Sequence, residues 1–407
     1  MAAAPADCQV LVVGAGPAGG DLARSLACHG VSVLLVDQLD DLRRAAFSSA
    51  AMPLAAVEQF ALPASVVASR WSGWRLIGPG EHRRDWQADA PLGVVLDFAA
   101  LRLWLAGECR RWGGQMRLGL RALGCEREGE RMLTRLRDRN GVEQRVLSDW
   151  VIDASGQGRS LLEPGGRPAQ AAEPLVSGIG VEWLLRVEER CWWQWADRLS
   201  FCLGSDWIPQ GYGWVFPMQP GVLKLGACRL HDPERPQPPL APLLEHLLER
   251  LLGDKGQPSG VSVLDRHGGL IRSRIHRREQ HRRGRLVGLG DAVSTANLLG
   301  GEGIRHALTS SRVLAPLLIE ALKRQSEDPL DRYPSRLNRA LGWRWALSGR
   351  LARRTWLSLR GPVSDRRLDR LLGGLEKSRA EDLSALLFDY RFERYGLRAL
   401  PYGLGWR

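Results

Sequence analysis

Three glycines in a GxGxxG spacing, Gly14-Ala15-Gly16-Pro17-Ala18-Gly19, follow directly on the apolar run of residues 9–13. Few features restrict a fold more. A continuous apolar run of that length is the pattern of a strand buried on both faces. The first glycine allows a tight turn, the second lets a diphosphate approach the backbone, and the third lets helix pack on strand. Residues 21–29 then read as a helix ended by Gly30, and residues 31–36 as a second buried strand. Asp37 closes that strand 23 residues after Gly14, where a carboxylate meets the ribose hydroxyls of a bound dinucleotide. The expected fold is α/β, with a Rossmann-like dinucleotide domain at the start of the chain.

Two later segments decide between NAD and FAD. Ile152-Asp153-Ala154-Ser155-Gly156 is a buried strand ending in an acidic turn, and Leu286-Val287-Gly288-Leu289-Gly290-Asp291-Ala292 is a second. The latter leads into Leu299-Gly300-Gly301-Glu302-Gly303-Ile304, a glycine-rich helix start. FAD is long, and a fold that holds it needs contacts from distant segments. An aspartate at a strand end can bond ribityl hydroxyls, although Asp153 also reads as an ordinary turn residue. Helix N–H groups near Gly301, Gly303 and Ile304 can stabilise negative charge on a flavin ring. The expected FAD contacts are therefore Gly14, Gly16, Pro17, Ala18, Gly19, Asp37, Asp153, Gly290, Asp291, Gly301, Gly303 and Ile304.

The order GxGxxG, DxxG, then GD with a glycine-rich helix start resembles the aromatic-hydroxylase-type FAD proteins. Within that group, Gly211-Tyr212-Gly213-Trp214-Val215-Phe216-Pro217 and Asp291-Ala292, Asn297 and Gly301-Glu302-Gly303-Ile304 resemble the geranylgeranyl reductase family. The resemblance implies an FAD-dependent oxidoreductase that reduces carbon–carbon double bonds of an isoprenoid or similar apolar substrate. It also implies that Tyr212, Trp214, Phe216 and Pro217 bind that substrate. On a strand, Tyr212, Trp214 and Phe216 point to one face and make an aromatic wall. A flavin monooxygenase, or a redox-neutral carotenoid cyclase or halogenase on the same fold, is the alternative. No side chain declares itself as proton donor, with Tyr212 a candidate on position alone. No second GxGxxG is present, so NAD(P)H or ferredoxin would bind transiently as electron donor.

The chain departs from that family at three places. The stretch at residues 46–50 carries neither the family's cysteine nor its paired glycines, Phe98 stands where an FAD-holding arginine is common, and Leu298 replaces a proline. The WxW of Trp193 to Trp195 lacks the Ile-Pro that completes a halogenase motif, and reads as an aromatic cluster.

The expected FAD-binding domain comprises residues 1–60, 93–165 and 266–325. Residues 61–92 and 166–265 would form an inserted mixed β-sheet substrate domain, and 326–407 a helical C-terminal region. Seven scattered cysteines show no CxxC pair and no metal-ligand spacing, which points to a reducing, cytoplasmic setting and no metal site. The arginine-rich segment at 272–283 reads as a solvated loop, and no nucleic-acid module is recognisable. Of the net charge of +12, +9 lies in residues 331–407, with 17 Lys and Arg against 8 Asp and Glu. On a helical wheel of residues 332–360, Leu337, Leu341, Trp345, Leu351, Ala352, Trp356 and Leu359 share one side. Arg339, Arg350, Arg353, Arg354 and Arg360 share the other, with Arg344 out of place. Such a helix either docks on an anionic membrane or packs its apolar side on the FAD domain.

Overall fold

The computed structural model describes residues 6–46, 48–164, 173–253 and 260–393. Phe47 and the final residues 394–407, for which departures or helix were expected, lie outside them. The N-terminal unit is the expected one. Ala6–Val13 leads through the glycine loop into the helix Pro17–Cys28 and on to the strand Val33–Asp37. The parallel strands lie in the order Leu286–Gly288, Glu143–Asp153, Ala6–Val13, Val33–Asp37 and Gln115–Leu118. From Ala6–Val13 the chain winds to one side first and later to the other. The crevice at this reversal, outside the carboxyl ends of the strands, is where such sheets bind ligands.

The second sheet has seven strands, in the order Ser262–Ser273, Val176–Arg186, Val222–Leu230, Gly211–Pro217, Arg198–Leu203, Gly73–Ile77 and Arg83–Gln87. Its first strand runs to Ser273, so this sheet extends past the boundary expected at residue 265. Gly211–Pro217 sits mid-sheet and is buried throughout. Its two faces differ as a period of two requires. Val215 packs with Leu244 and Leu247 of the helix Leu240–Leu252, and a Cβ on Gly213 would meet Leu247 at 2.9 Å. Tyr212, Trp214 and Phe216 face the other way, into a separate apolar cluster. A small third sheet pairs Gly93–Leu96 with Ala51–Pro53 on one side and Val67–Trp71 on the other.

The C-terminal region is helical, with Tyr333–Ser358, Pro362–Gly374 and Ala380–Leu387. Gly342, at φ 81° and ψ 164°, breaks the first of these. Its apolar side is used inside the protein. Leu337, Trp345, Ala352 and Leu359 are buried, and the Trp356 indole donates to the Leu299 carbonyl at 3.1 Å. Packing on the rest of the chain thus consumes most of the surface expected of a membrane contact. The arginine-rich segment is a second correction. Arg274, Arg277 and His281 are buried, because Arg274 pairs with Glu163 at 2.7 Å and Arg277 donates to Asn338 at 2.7 Å. Those partners lie far off in sequence, and burial in such a network is feasible only where each guanidinium is bonded. Among the described residues, no helix is long and apolar enough to cross a membrane.

Candidate functional site

At the crevice, the glycine loop shows why each glycine is needed. Gly14 adopts φ +112°, and a Cβ there would lie 2.3 Å from the Ala154 carbonyl oxygen. On Gly19 it would lie 2.0 Å from the Gly14 carbonyl oxygen. On Gly16 it would meet nothing within 4 Å. Gly16 therefore borders open space at the N-terminus of Pro17–Cys28, which has no side-chain cap and no acidic residue in its first turn. Uncapped N–H groups and the positive helix end favour a diphosphate there.

Asp37 holds the loop from beside it, accepting the Ala15 N–H at 2.7 Å through Oδ2 and the Leu39 N–H at 2.9 Å through Oδ1. Ala18 lies under Gly290, whose Cβ would stand 2.8 Å from that of Ala18. The Gly290-Asp291 turn is thereby pressed against the first helix. Arg159 fixes the same turn from behind, donating to the Ala292 carbonyl at 2.8 Å and to Ser294 Oγ at 2.7 Å. Asp291 accepts from Thr295 at 2.9 Å, and burial raises its carboxyl above the ordinary range. Gly303, whose Cβ would be 3.8 Å from Asp291 Oδ2, opens the helix Ile304–Arg324, again with no side-chain cap.

Asp153 has a different place from the one expected. It is fully buried, and its carboxylate accepts from the Ser155 N–H and hydroxyl and from the Leu161 and Leu162 N–H groups, at 2.5–3.1 Å. These bonds make it the organiser of the turn beneath Gly14, and no oxygen faces the cavity. Asp153→Ala would strand the buried Leu161 and Leu162 N–H groups and the half-buried N–H and hydroxyl of Ser155. We expect a lower melting temperature and a loss on the order of 3 kcal/mol. An unchanged melting curve would show that the turn holds without it.

The cavity itself has a volume of about 1320 Å³. At one end it touches Pro17, Asp291, Gly301, Gly303 and Ile304. It then runs along Trp74, Phe201, Tyr212, Trp214 and Phe216, and is closed by leucines of the three C-terminal helices, among them Leu351, Leu371 and Leu383. Pro217 lies off this wall; its carbonyl accepts from the Ser69 hydroxyl at 2.7 Å. Phe98, at the position where the family resemblance implies an arginine, lines the cavity.

Polar groups behind the wall set the rings. The Trp214 indole donates to Glu182 at 3.0 Å across Gly226, whose Cβ would sit 2.1 Å from the indole. Gly226 is in effect the socket for Trp214. Burial raises the Glu182 carboxyl, partly opposed by Lys224 and the indole N–H. Lys224 donates to the Ser48 carbonyl at 2.8 Å, tying the sheet to a loop whose Ser48 and Ser49 also line the cavity. The Tyr212 hydroxyl lies near Gly301, 3.3 Å from where a Cβ would be, and against the Cys228 thiol. Burial pushes the phenol well above its usual range, so it stays protonated.

At the start of the helix Ile304–Arg324, Glu302 accepts three hydrogen bonds and has the His306 ring beside it. Arg305 reaches it at 2.5 and 2.9 Å, His306 at 3.2 Å, and the Tyr390 hydroxyl at 2.7 Å. Burial alone would raise this carboxyl, but Arg305 and His306 hold it well below the usual carboxylate range. The C-terminal segment is thereby fastened beside the helix that opens the site. Sequence reading missed this cluster, because Tyr390 lies 88 residues from Glu302.

A family model described as an FAD binding domain matches residues 7–50. The chain is 27% identical to the digeranylgeranylglycerophospholipid reductase of Haloferax volcanii over 332 residues, 79% of this chain and 78% of that protein. It is 29% identical to the menaquinone reductase of Mycobacterium tuberculosis, over 84% and 83% of the two chains. The fold matches that of a geranylgeranyl bacteriochlorophyll reductase-like protein from Thermoplasma acidophilum, with a TM-score of 0.78, 21% identity and coverage of 96% and 100%. A p-nitrophenol 4-monooxygenase from Pseudomonas putida superposes with a TM-score of 0.71 at 17% identity, covering 95% and 98%. The cofactor of the N-terminal domain is FAD.

Proposed function

We infer that this chain, an FAD-dependent oxidoreductase of the geranylgeranyl reductase-like kind, saturates carbon–carbon double bonds in an elongated isoprenoid substrate. The observation that carries this reading is the continuity of the cavity. One unbroken apolar volume joins the glycine-bounded flavin end to a wall of Trp74, Tyr212, Trp214 and Phe216. Aromatic faces at that density suit a chain of isoprene units, which offers apolar surface and almost no hydrogen-bonding groups. Reduced flavin, when bound, supplies a hydride equivalent. The chain's own residues do the rest. The aromatic wall lays the substrate out, the C-terminal helices exclude water, and the Tyr212 hydroxyl holds a proton beside Gly301 for the second carbon. The relatives' names support the substrate class: one is a digeranylgeranylglycerophospholipid reductase, the other a menaquinone reductase.

The test is a single turnover without oxygen. The holoenzyme is reduced with dithionite, freed of excess reductant and mixed with a geranylgeranyl substrate. We expect flavin reoxidation together with a product carrying an added hydrogen pair. Reoxidation only when oxygen is admitted, with oxygen found in the product, would make the enzyme a monooxygenase instead. A rearranged product of unchanged composition would make it a cyclase.

Access from a bilayer forms part of this reading. Trp343 is 64% exposed and lines the mouth of the cavity, on the helix that carries the exposed Arg339, Arg350, Arg353 and Arg354. Flotation with vesicles containing an anionic lipid should carry the protein upward at low salt and lose it at high salt. Flotation that ignores both charge and salt would remove the membrane from the proposal.

A further inference from the structure

The helix Phe98–Arg111 brings an arginine to the glycine loop that no motif announces. Arg102 is only 6% exposed. It donates through Nε to the Ala15 carbonyl at 3.4 Å and through Nη1 to the Arg44 carbonyl at 3.2 Å. Its third nitrogen stands 3.8 Å from Asp37 Oδ2, an ion-pair contact beyond hydrogen-bond range. Both hydrogen bonds are at the long end, and a guanidinium has five N–H donors to place. Burying such a group costs free energy unless its donors are bonded.

Its surroundings define what is missing. Ala15 and Asp37 belong to the loop and strand end that frame the open space at Gly16, and the first helix of that loop is uncapped. A guanidinium bonded to Ala15 thus adjoins the same loop as the positive helix end and the open space at Gly16. That combination suits a phosphate oxygen better than any neutral group.

We propose that Arg102 is a cofactor-binding residue, donating directly to the FAD diphosphate beside Gly16. The proposal rests on the FAD assignment and extends it to a residue outside the glycine motif. Position on the helix explains how this arises. Phe98 and Arg102 are four residues apart and so share one face, with the guanidinium 6.0 Å from the Phe98 ring. Phe98 is left free to line the apolar cavity, while the positive charge enters one turn further along.

The experiment measures affinity and needs no turnover. Apoprotein of the full chain, and its Arg102→Met and Arg102→Lys variants, are titrated with FAD by fluorescence, and with ADP and adenosine as competitors. Loss of a charge-assisted bond to phosphate weakens binding by about 10- to 100-fold. We expect that loss for FAD and ADP with Arg102→Met, no comparable loss for adenosine, and a smaller loss with Arg102→Lys. The Lys variant retains the buried charge, so it reports even where the Met variant folds poorly. Equal weakening of ADP and adenosine would reduce Arg102 to a strut for the loop and overturn the proposal. FAD affinity unchanged in both variants would overturn it as well. Wild-type protein that takes up no FAD would instead refute the cofactor assignment itself.

Discussion

Gly16→Val is expected to yield a folded protein that has lost its flavin. A Cβ at this position would meet nothing within 4 Å, so the apoprotein has little clash to relieve. The same space is where a bound diphosphate would meet the helix N–H groups. A branched side chain there holds the phosphates off the backbone and forfeits the short bonds on which the site depends. Affinity should fall at least about 100-fold, which corresponds to roughly 2.7 kcal/mol. Gly19 makes the informative contrast. Its Cβ would sit 2.0 Å from the Gly14 carbonyl oxygen, and backbone cannot swing aside as a flexible side chain can. Gly19→Ala should therefore destabilise the apoprotein, whereas Gly16→Val should leave its melting temperature within a few degrees of wild type. Absorbance of the purified protein near 450 nm, with circular dichroism melts of the stripped forms, separates the two. Gly16→Val protein that stays yellow at full occupancy would show that the diphosphate lies elsewhere.

How much of this could be read beforehand follows from where each residue's partners lie. The β-α-β unit was legible because its signals are local: an apolar run, three glycines and Asp37 fall within one supersecondary unit. The aromatic wall was legible for the same reason, since alternation along one strand fixes the face. Asp153 was not. A carboxylate at a strand end looks the same whether it faces a ribityl chain or the N–H groups of Leu161 and Leu162. Arg274 and Arg277 read as solvated because Glu163 and Asn338, which bury them, lie far along the chain. The helix at Tyr333–Ser358 was correctly amphipathic, but periodicity does not say what covers the apolar side. Its cover is the rest of this chain. Arg102 left one signal, a position four residues after the place where an arginine was sought, and it needed the helix to become visible.

Trp214→Ala is expected to retain FAD and to lose both stability and the apolar ligand. The side chain is almost wholly buried, and removing a buried tryptophan costs about 3–5 kcal/mol. Part of that loss has an electrostatic origin that Trp214→Phe can isolate. Phenylalanine keeps an aromatic ring over Gly226 but removes the N–H that reaches Glu182. Burial already raises the Glu182 carboxyl above its usual range, and the indole N–H is one of the groups that lower it. Without that donor the folded-state pKa rises further. A carboxyl whose folded pKa lies above its unfolded value costs stability when pH exceeds that range, and nothing when both states are protonated. The deficit of Trp214→Phe relative to wild type should therefore grow from pH 5 to pH 8. A deficit equal at both would place the effect in packing alone. At the cavity, loss of the indole surface should weaken binding of geranylgeraniol, followed by quenching of the remaining tryptophans, at least about tenfold. Flavin content is the control, because Trp214 packs in a different apolar cluster from Ala15 and Ala18 of the glycine loop. Geranylgeraniol affinity equal to wild type in a folded, FAD-replete Trp214→Ala protein would move the substrate away from this wall.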